Sequence, residues 1–225
     1  MSQFSRQTKI INPSLLDKRI LIIGAGGIGS WTALSLAKIG CQDITVMDFD
    51  EVALENIGSQ IYTRKDIGRK KVDALHDIIG EMVSDPSDVT KPYNLQTREE
   101  RWEPKTKIDY EIVISALDSM ETRKQLWESI KVNPFILNYI DGRMGGEFMK
   151  ILCLELTNAS LELYAKYEKT ILPPEKVDPT PCTAKAIAYN TLMIGSIIAS
   201  MVKNICRSQF NPFDFSFDMS CLRTV

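Results

Sequence analysis

Apolar positions along this chain recur with two different periods. Arg19–Ile23 is a short, continuous apolar run that reads as a strand buried on both faces, and Asp43–Met47, Glu111–Ala116 and Phe135–Ile140 read as further strands. Between them apolar residues recur at helical spacing. Ile28, Trp31, Leu34, Leu36 and Ala37 form one such stretch, closed by Gly40 as a C-cap. Lys70 to Met82 forms a second, with Val72, Leu75, Ile78 and Ile79 as its apolar face, and Met120 to Lys131 a third. A short strand is expected near Tyr93–Gln96, inside the polar stretch Ser84–Lys107. This alternation predicts an α/β fold with a mostly parallel sheet and helices on both faces.

The C-terminal third departs from the alternation. Phe148–Leu156 reads as an additional, antiparallel strand, and Asn158 to Pro181 as a long loop containing Pro173, Pro174, Pro179 and Pro181. A long apolar helix from Thr183 to Cys206 follows, and the tail Asp214–Val225 adds one or two strands. Lys185, Asn190, Thr191, Ser196 and Ser200 interrupt the apolar helix and Lys203 ends it, so it reads as a core helix rather than a membrane span.

Composition narrows the classes. At 225 residues, 44% hydrophobic and 25% charged, the chain suffices for one large α/β domain and hardly for two. A formal charge of −2 offers no electrostatic case for nucleic acid or an anionic membrane. The first ten residues are polar and lack the apolar core of a secretion signal, so the expected location is cytoplasmic. Five cysteines (Cys41, Cys153, Cys182, Cys206, Cys221) include no C-x-x-C pair, which argues against zinc and for free thiols. The single histidine, His76, falls within an expected helix, so a Ser-His-Asp triad or a His-rich metal site is nearly excluded.

Candidate chemistry gathers around the first strand. Gly24, Gly26 and Gly29, with Gly27 among them, form G-x-G-x-x-G between that strand and the first helix. Such glycines let backbone approach a phosphate, and the helix N-terminus supplies free N–H groups. Asp48 ends the second strand, where an acid meets a ribose, so this half, about 19–140, reads as Rossmann-like and nucleotide-binding. A nicotinamide-dependent oxidoreductase would show the same features. Three others fit nucleotidyl transfer better: Asp50 two residues after Asp48, Lys71 opening the next helix within reach of phosphates, and Asp118 at a strand end suited to Mg²⁺.

In these pieces the chain resembles the ThiF/MoeB/HesA adenylyltransferases of the ubiquitin-activating-enzyme superfamily. The matching segments are Phe4-Ser5-Arg6-Gln7, the Gly24–Gly29 loop, Asp48-Phe49-Asp50, Asn56 to Gln60, Gly68 to Lys71, Ser115 to Asp118, Arg143-Met144, and Cys182 ahead of the apolar helix. The resemblance implies a single domain over 1–225, with a crossover loop at about 158–181 and a C-terminal helix and strands at about 183–225. It implies that Gly24, Gly26, Gly27, Gly29, Asp48 and Asp50 hold ATP. Asn56, Gln60 and Lys71 would line its triphosphate, and Asp118 would bind Mg²⁺. Arg6 would reach the neighbouring subunit's ATP in a homodimer, and Cys182 would serve thioester or persulfide chemistry. The implied partner is a small ubiquitin-like or sulfur-carrier protein ending in Gly, and the charge reading above adds no membrane and makes nucleic acid an unfavoured partner. Adenylation of a peptide or tRNA-attached carboxylate, an oxidoreductase, and a non-catalytic nucleotide-binding subunit stay open as alternatives.

Two departures from the pattern stand out. Ser59 precedes Gln60 where the family carries an arginine, leaving one phosphate contact missing or supplied by Arg64 or Arg69. The family's zinc-binding C-x-x-C pairs are absent, so no zinc is expected. Arg143 reads as structural.

Overall fold

A computed structural model describes residues 3–84, 93, 95–171 and 186–225. The apolar runs form the centre of its sheet. β1 (Ile20–Ile23), β2 (Ile44–Met47) and, after the short β3 (Gln96–Arg98), β4 (Ile112–Ser115) take the chain across it, and all but β3 are buried at every position. β5 (Asn138–Gly145), β6 (Phe148–Glu155), β7 (Asp214–Asp218) and β8 (Arg223–Thr224) complete a sheet ordered β3-β2-β1-β4-β5-β6-β7-β8. The first five strands in that order pair in parallel, and the last three add antiparallel.

Side-chain alternation divides the core into two layers. Ile20, Ile22, Ile112, Ile114, Ile140 and Ile151 face α1 (Gly27–Ile39), α2 (Lys71–Val83) and, much later in the chain, α5 (Ala188–Cys206). Leu21, Ile23, Val113, Tyr139 and Leu152 face α3 (Met120–Ile130) and α4 (Leu161–Glu168). The sheet is therefore covered on both faces, as the alternation of runs predicts. α5 packs its buried face on α1, and no helix among the described residues is long and apolar enough to cross a membrane.

Several boundaries differ from the sequence reading. The expected loop Asn158–Pro181 contains α4, started by Ser160, whose hydroxyl accepts the Leu163 N–H at 3.1 Å. Tyr167 of that helix is fully buried, its ring 4.5 Å from Trp127. The strand expected near Tyr93–Gln96 is instead Gln96–Arg98, because Tyr93 turns inward and donates its hydroxyl to the Cys41 carbonyl. β5 starts later than Phe135 and runs on past Ile140 through Asp141-Gly142-Arg143. Pairing with β6 carries it to Gly145, and Gly146 (φ +58°) makes the hairpin. The apolar helix begins at Ala188 among the described residues, and positions 183–185 lie outside them.

The topology places a crevice. After β1 the chain crosses to β2 on one side, while β4 pairs on the other, so the ends of β1 and β4 flank a switch point where open α/β sheets bind ligands.

Candidate active site

The glycine loop leaves β1 at this crevice. Gly24 has φ +101°, and a Cβ there would stand 2.6 Å from the Ala116 carbonyl oxygen at the end of β4. A Cβ on Gly29 would sit 1.8 Å from the Gly24 carbonyl oxygen, so the helix start and the strand end touch backbone to backbone. Gly27 meets α5, its added Cβ lying 2.9 Å from the Thr191 methyl. Gly26 differs: the nearest atom to a Cβ there is the Gln60 Nε2 at 4.0 Å. Gly26 is also the N-cap of α1 and brings no side-chain cap, so the first amides of the helix keep their capacity for an anion.

Two side chains hold the loop from opposite sides. Asp48, buried at the end of β2, accepts the Ala25 N–H through Oδ2 at 2.6 Å and the Asp50 N–H through Oδ1 at 2.7 Å. Tyr62 donates its hydroxyl to the Ala25 carbonyl at 2.7 Å. Burial, reinforced by the Asp48 charge, pushes the Tyr62 phenol far up, so it stays a donor. Ala25 is thus fixed at both N–H and C=O. Tyr62 has no place in the sequence reading, because nothing in its neighbourhood marks a lone tyrosine as a loop anchor.

Lys71 opens α2 with its backbone N–H on the Asp50 carbonyl (2.9 Å) and its Nζ 3.0 Å from Asp50 Oδ2. Lys71 is buried while Asp50 is exposed, and the pair follows the C-terminal end of β2, the same edge of the sheet at which the glycine loop leaves β1. Asn56 uses its side-chain oxygen to accept the Ala53 N–H at 2.9 Å, a turn role. Gln60 keeps a buried Oε1 with no hydrogen-bond partner. An amide can offer either a donor or an acceptor, so this unsatisfied group beside Gly26 fits a polar ligand in the loop. The carbonyl of Ser59 accepts from Trp31 Nε1 (3.0 Å) and Thr191 Oγ1 (2.7 Å), which ties the Asn56–Gln60 loop to α1 and α5. Of the two arginines considered as replacements at Ser59, Arg69 is engaged with Asp66 (3.1 Å) and Asp77 (2.5 Å), whereas Arg64 is exposed.

Asp118 lies exposed between β4 and α3. Capping α3 falls to Ser119, which accepts the Thr122 N–H at 3.2 Å, leaving the Asp118 carboxylate without that task. Mg²⁺ is commonly held by one or two carboxylates together with substrate phosphates, so a single acid at this position fits it.

Arg6 lies far from this crevice. Its neighbour Gln7 donates to the Ile39 carbonyl at 2.6 Å, at the opposite end of α1 from Gly27. Thirteen residues of helix separate the two ends by about 20 Å. Cys182 lies outside the described residues. Burial pushes the thiols of Cys41 and Cys153 up to about 12 and that of Cys206 up to about 11, so all three are protonated and poor nucleophiles near neutrality.

A family profile described as ThiF family matches residues 6–212. The NEDD8-activating enzyme E1 catalytic subunit of Dictyostelium discoideum is 27% identical over 165 residues, covering 73% of this chain and 35% of that protein. The adenylyltransferase and sulfurtransferase uba4 of Emericella nidulans is 32% identical over 122 residues, covering 54% of this chain and 24% of that protein. The matched region thus spans about a third of the first relative and a quarter of the second. Among solved structures, E. coli MccB with SeMet MccA superposes with a TM-score of 0.76 at 15% identity, over 100% of this chain and 70% of MccB, a likeness of fold.

Proposed function

Because the chain belongs to the ThiF family, we propose that it is an ATP-dependent adenylyltransferase. Its substrate in this reading is the C-terminal carboxylate of a small ubiquitin-like or sulfur-carrier protein. The observation that carries the reading is that three groups follow the C-terminal ends of the parallel strands β1, β2 and β4: the Asp48-clamped glycine loop, Lys71 held on Asp50, and Asp118. A hydride-transfer enzyme needs the first and has no use for the other two. The names of the two relatives above support activation of a protein partner and adenylyl transfer.

In the proposed reaction a carboxylate oxygen attacks the α-phosphorus of ATP. The bond from that phosphorus to the oxygen bridging the β-phosphate breaks, and pyrophosphate leaves with the electron pair, giving an acyl-adenylate. No proton moves, so catalysis is positioning and charge neutralisation. The amides at the start of α1 face the phosphates, Lys71 adds a point charge, and Asp48 meets the ribose hydroxyls with lone pairs left by its two backbone bonds. Asp118 would hold Mg²⁺, which offsets phosphate charge when bound.

Arg6 completes the site from a second copy of the chain in a two-fold homodimer. Its placement an α1-length away from its own crevice supports action in trans rather than in cis. Cys182 is the proposed thiol acceptor. The high thiol values of Cys41, Cys153 and Cys206 leave these three unsuited to that task.

Incubation with ATP and carriers ending in Gly, followed by mass spectrometry of each carrier's C-terminus, tests the substrate class. AMP or a thiol adduct on such a carrier supports it. Unmodified carriers, with a peptide or tRNA-attached carboxylate consumed instead, would reassign the substrate.

A further inference from the structure

Behind the Asp118 turn lies a buried charge network that the reaction scheme above does not use. Arg123, on α3, is 2% exposed. Its Nε donates to Asp141 Oδ1 at 2.6 Å, and its Nη2 donates to the carbonyls of Leu117 (2.7 Å) and Gly142 (3.2 Å). Asp141, on β5, is completely buried. Its other oxygen accepts from Arg143 Nη2 at 2.7 Å, Arg143 Nε at 2.9 Å and the Tyr167 hydroxyl at 2.8 Å. Arg143 continues outward, donating to the Thr170 carbonyl at 2.7 Å and the Thr170 hydroxyl at 3.0 Å.

The geometry assigns Arg123 the role of a positioning residue for Asp118, with Asp141 as its anchor. The inference rests on the adenylation reading, in which Asp118 holds Mg²⁺. The peptide carbonyl that Arg123 grips belongs to Leu117, the residue joined directly to Asp118. Holding that carbonyl fixes the peptide plane from which the Asp118 side chain projects. A guanidinium is suited to this because its planar fork reaches Asp141 and two separate carbonyls at once. A lysine supplies one compact ammonium and cannot span the same acceptors at those directions. Burying two guanidinium groups around one carboxylate is costly, and packing alone would be served as well by apolar residues. Arg143 and Tyr167 saturate the far oxygen of Asp141, so the anchor cannot swing away from Arg123. Ser119 caps α3 on the other side of Asp118, and the acid is thus held between two fixed neighbours.

Groups behind a metal-binding carboxylate commonly set metal affinity by about 10–100-fold. The test is Arg123→Lys, with ATP binding measured by calorimetry in EDTA and then across a Mg²⁺ titration. The inference expects metal-free ATP to bind as in the wild type, while the Mg²⁺ midpoint rises about tenfold or more. A wild-type midpoint in a folded Arg123→Lys protein would overturn it. If Arg123→Lys does not fold, the wild-type protein gives the answer by NMR. The Arg123 Nε–H resonance should move as Mg²⁺ is added to the ATP-bound protein and stay still in Asp118→Asn. A resonance indifferent to Mg²⁺ in the wild type, while the ATP affinity responds to it, overturns the inference. ATP binding that ignores Mg²⁺ in the wild type would instead remove the adenylation reading, and this inference with it.

Discussion

The Asp48 carboxylate clasps the Ala25 amide at 2.6 Å, so the acid at the end of β2 shapes the glycine loop as well as facing the crevice. Both of its oxygens accept backbone N–H groups, one from Ala25 and one from Asp50, the residue that pairs with Lys71. One side chain therefore ties the phosphate loop to the lysine edge of the site. Asp48→Asn turns an NH₂ group toward one of these two amides. The expected result is a loss of about 1–3 kcal/mol in urea unfolding and ATP binding weakened about tenfold or more, equivalent to at least about 1.4 kcal/mol. Tyr62→Phe should weaken ATP binding in the same direction by less. Calorimetry on the two variants checks both.

The glycines of the loop separate into two kinds. Gly29→Ala drives a methyl into the Gly24 carbonyl, 1.8 Å away, and should destabilise the fold by about 1–3 kcal/mol or more. Gly26→Ala meets only the Gln60 side chain at 4.0 Å and should unfold like the wild type, yet bind ATP poorly because its methyl occupies the phosphate approach. Thermal unfolding alongside ATP binding distinguishes them. A Gly26→Ala variant with wild-type affinity would mean that phosphate does not approach there.

Buried thiols supply a pH-dependent check. Cys41 and Cys153 are raised by burial from 9.0 to about 12, so the folded protein keeps their protons where the unfolded chain has lost them. Their contribution to stability is full below the unfolded value and is lost as pH rises toward about 12. Alkylation at pH 8 should label the exposed Cys221 well before either, and peptide mapping shows the order. Early modification of Cys41 in folded protein would contradict its burial.

The sheet's parallel core was legible because Ile20–Ile23, Ile44–Met47 and Ile112–Ser115 are buried on both faces and so are apolar at nearly every position. The glycine loop and Asp48 were legible because their chemistry depends on local spacing. α4 was not, because its inward-facing Tyr164 and Tyr167 find their partners, Trp127 and Tyr139, far away in sequence. Reading Asp141-Gly142-Arg143 as part of a strand requires knowing that β6 pairs there, and that Gly142 passes within 3.1 Å of Ile28 Cγ2 if given a Cβ. The Arg123–Asp141 contact joins α3 to β5 and has no local pattern at all. Arg69 looked free to replace the missing arginine at Ser59, and only the folded chain brings Asp66 and Asp77 to it.

Action of Arg6 in trans has a distinctive signature. Arg6→Ala and Lys71→Ala proteins should each be inactive alone, while mixing them under conditions of subunit exchange should restore activity. Random pairing makes half the dimers mixed, each with one intact site, so recovery should approach about a quarter of the wild type. Exchange demonstrated by labelled subunits without any recovery would mean that Arg6 acts in its own chain or not at all.

The central claim is adenylyl transfer at the crevice edged by Lys71 and Asp118, and isotope exchange between pyrophosphate and ATP tests it most directly. The account predicts Mg²⁺-dependent exchange that requires the carboxylate partner. It also predicts that exchange nearly vanishes in Lys71→Ala and in Asp118→Ala, with both variants unfolding close to the wild-type temperature. Wild-type protein without exchange when supplied with its partner, or near-normal exchange in either variant, would contradict it.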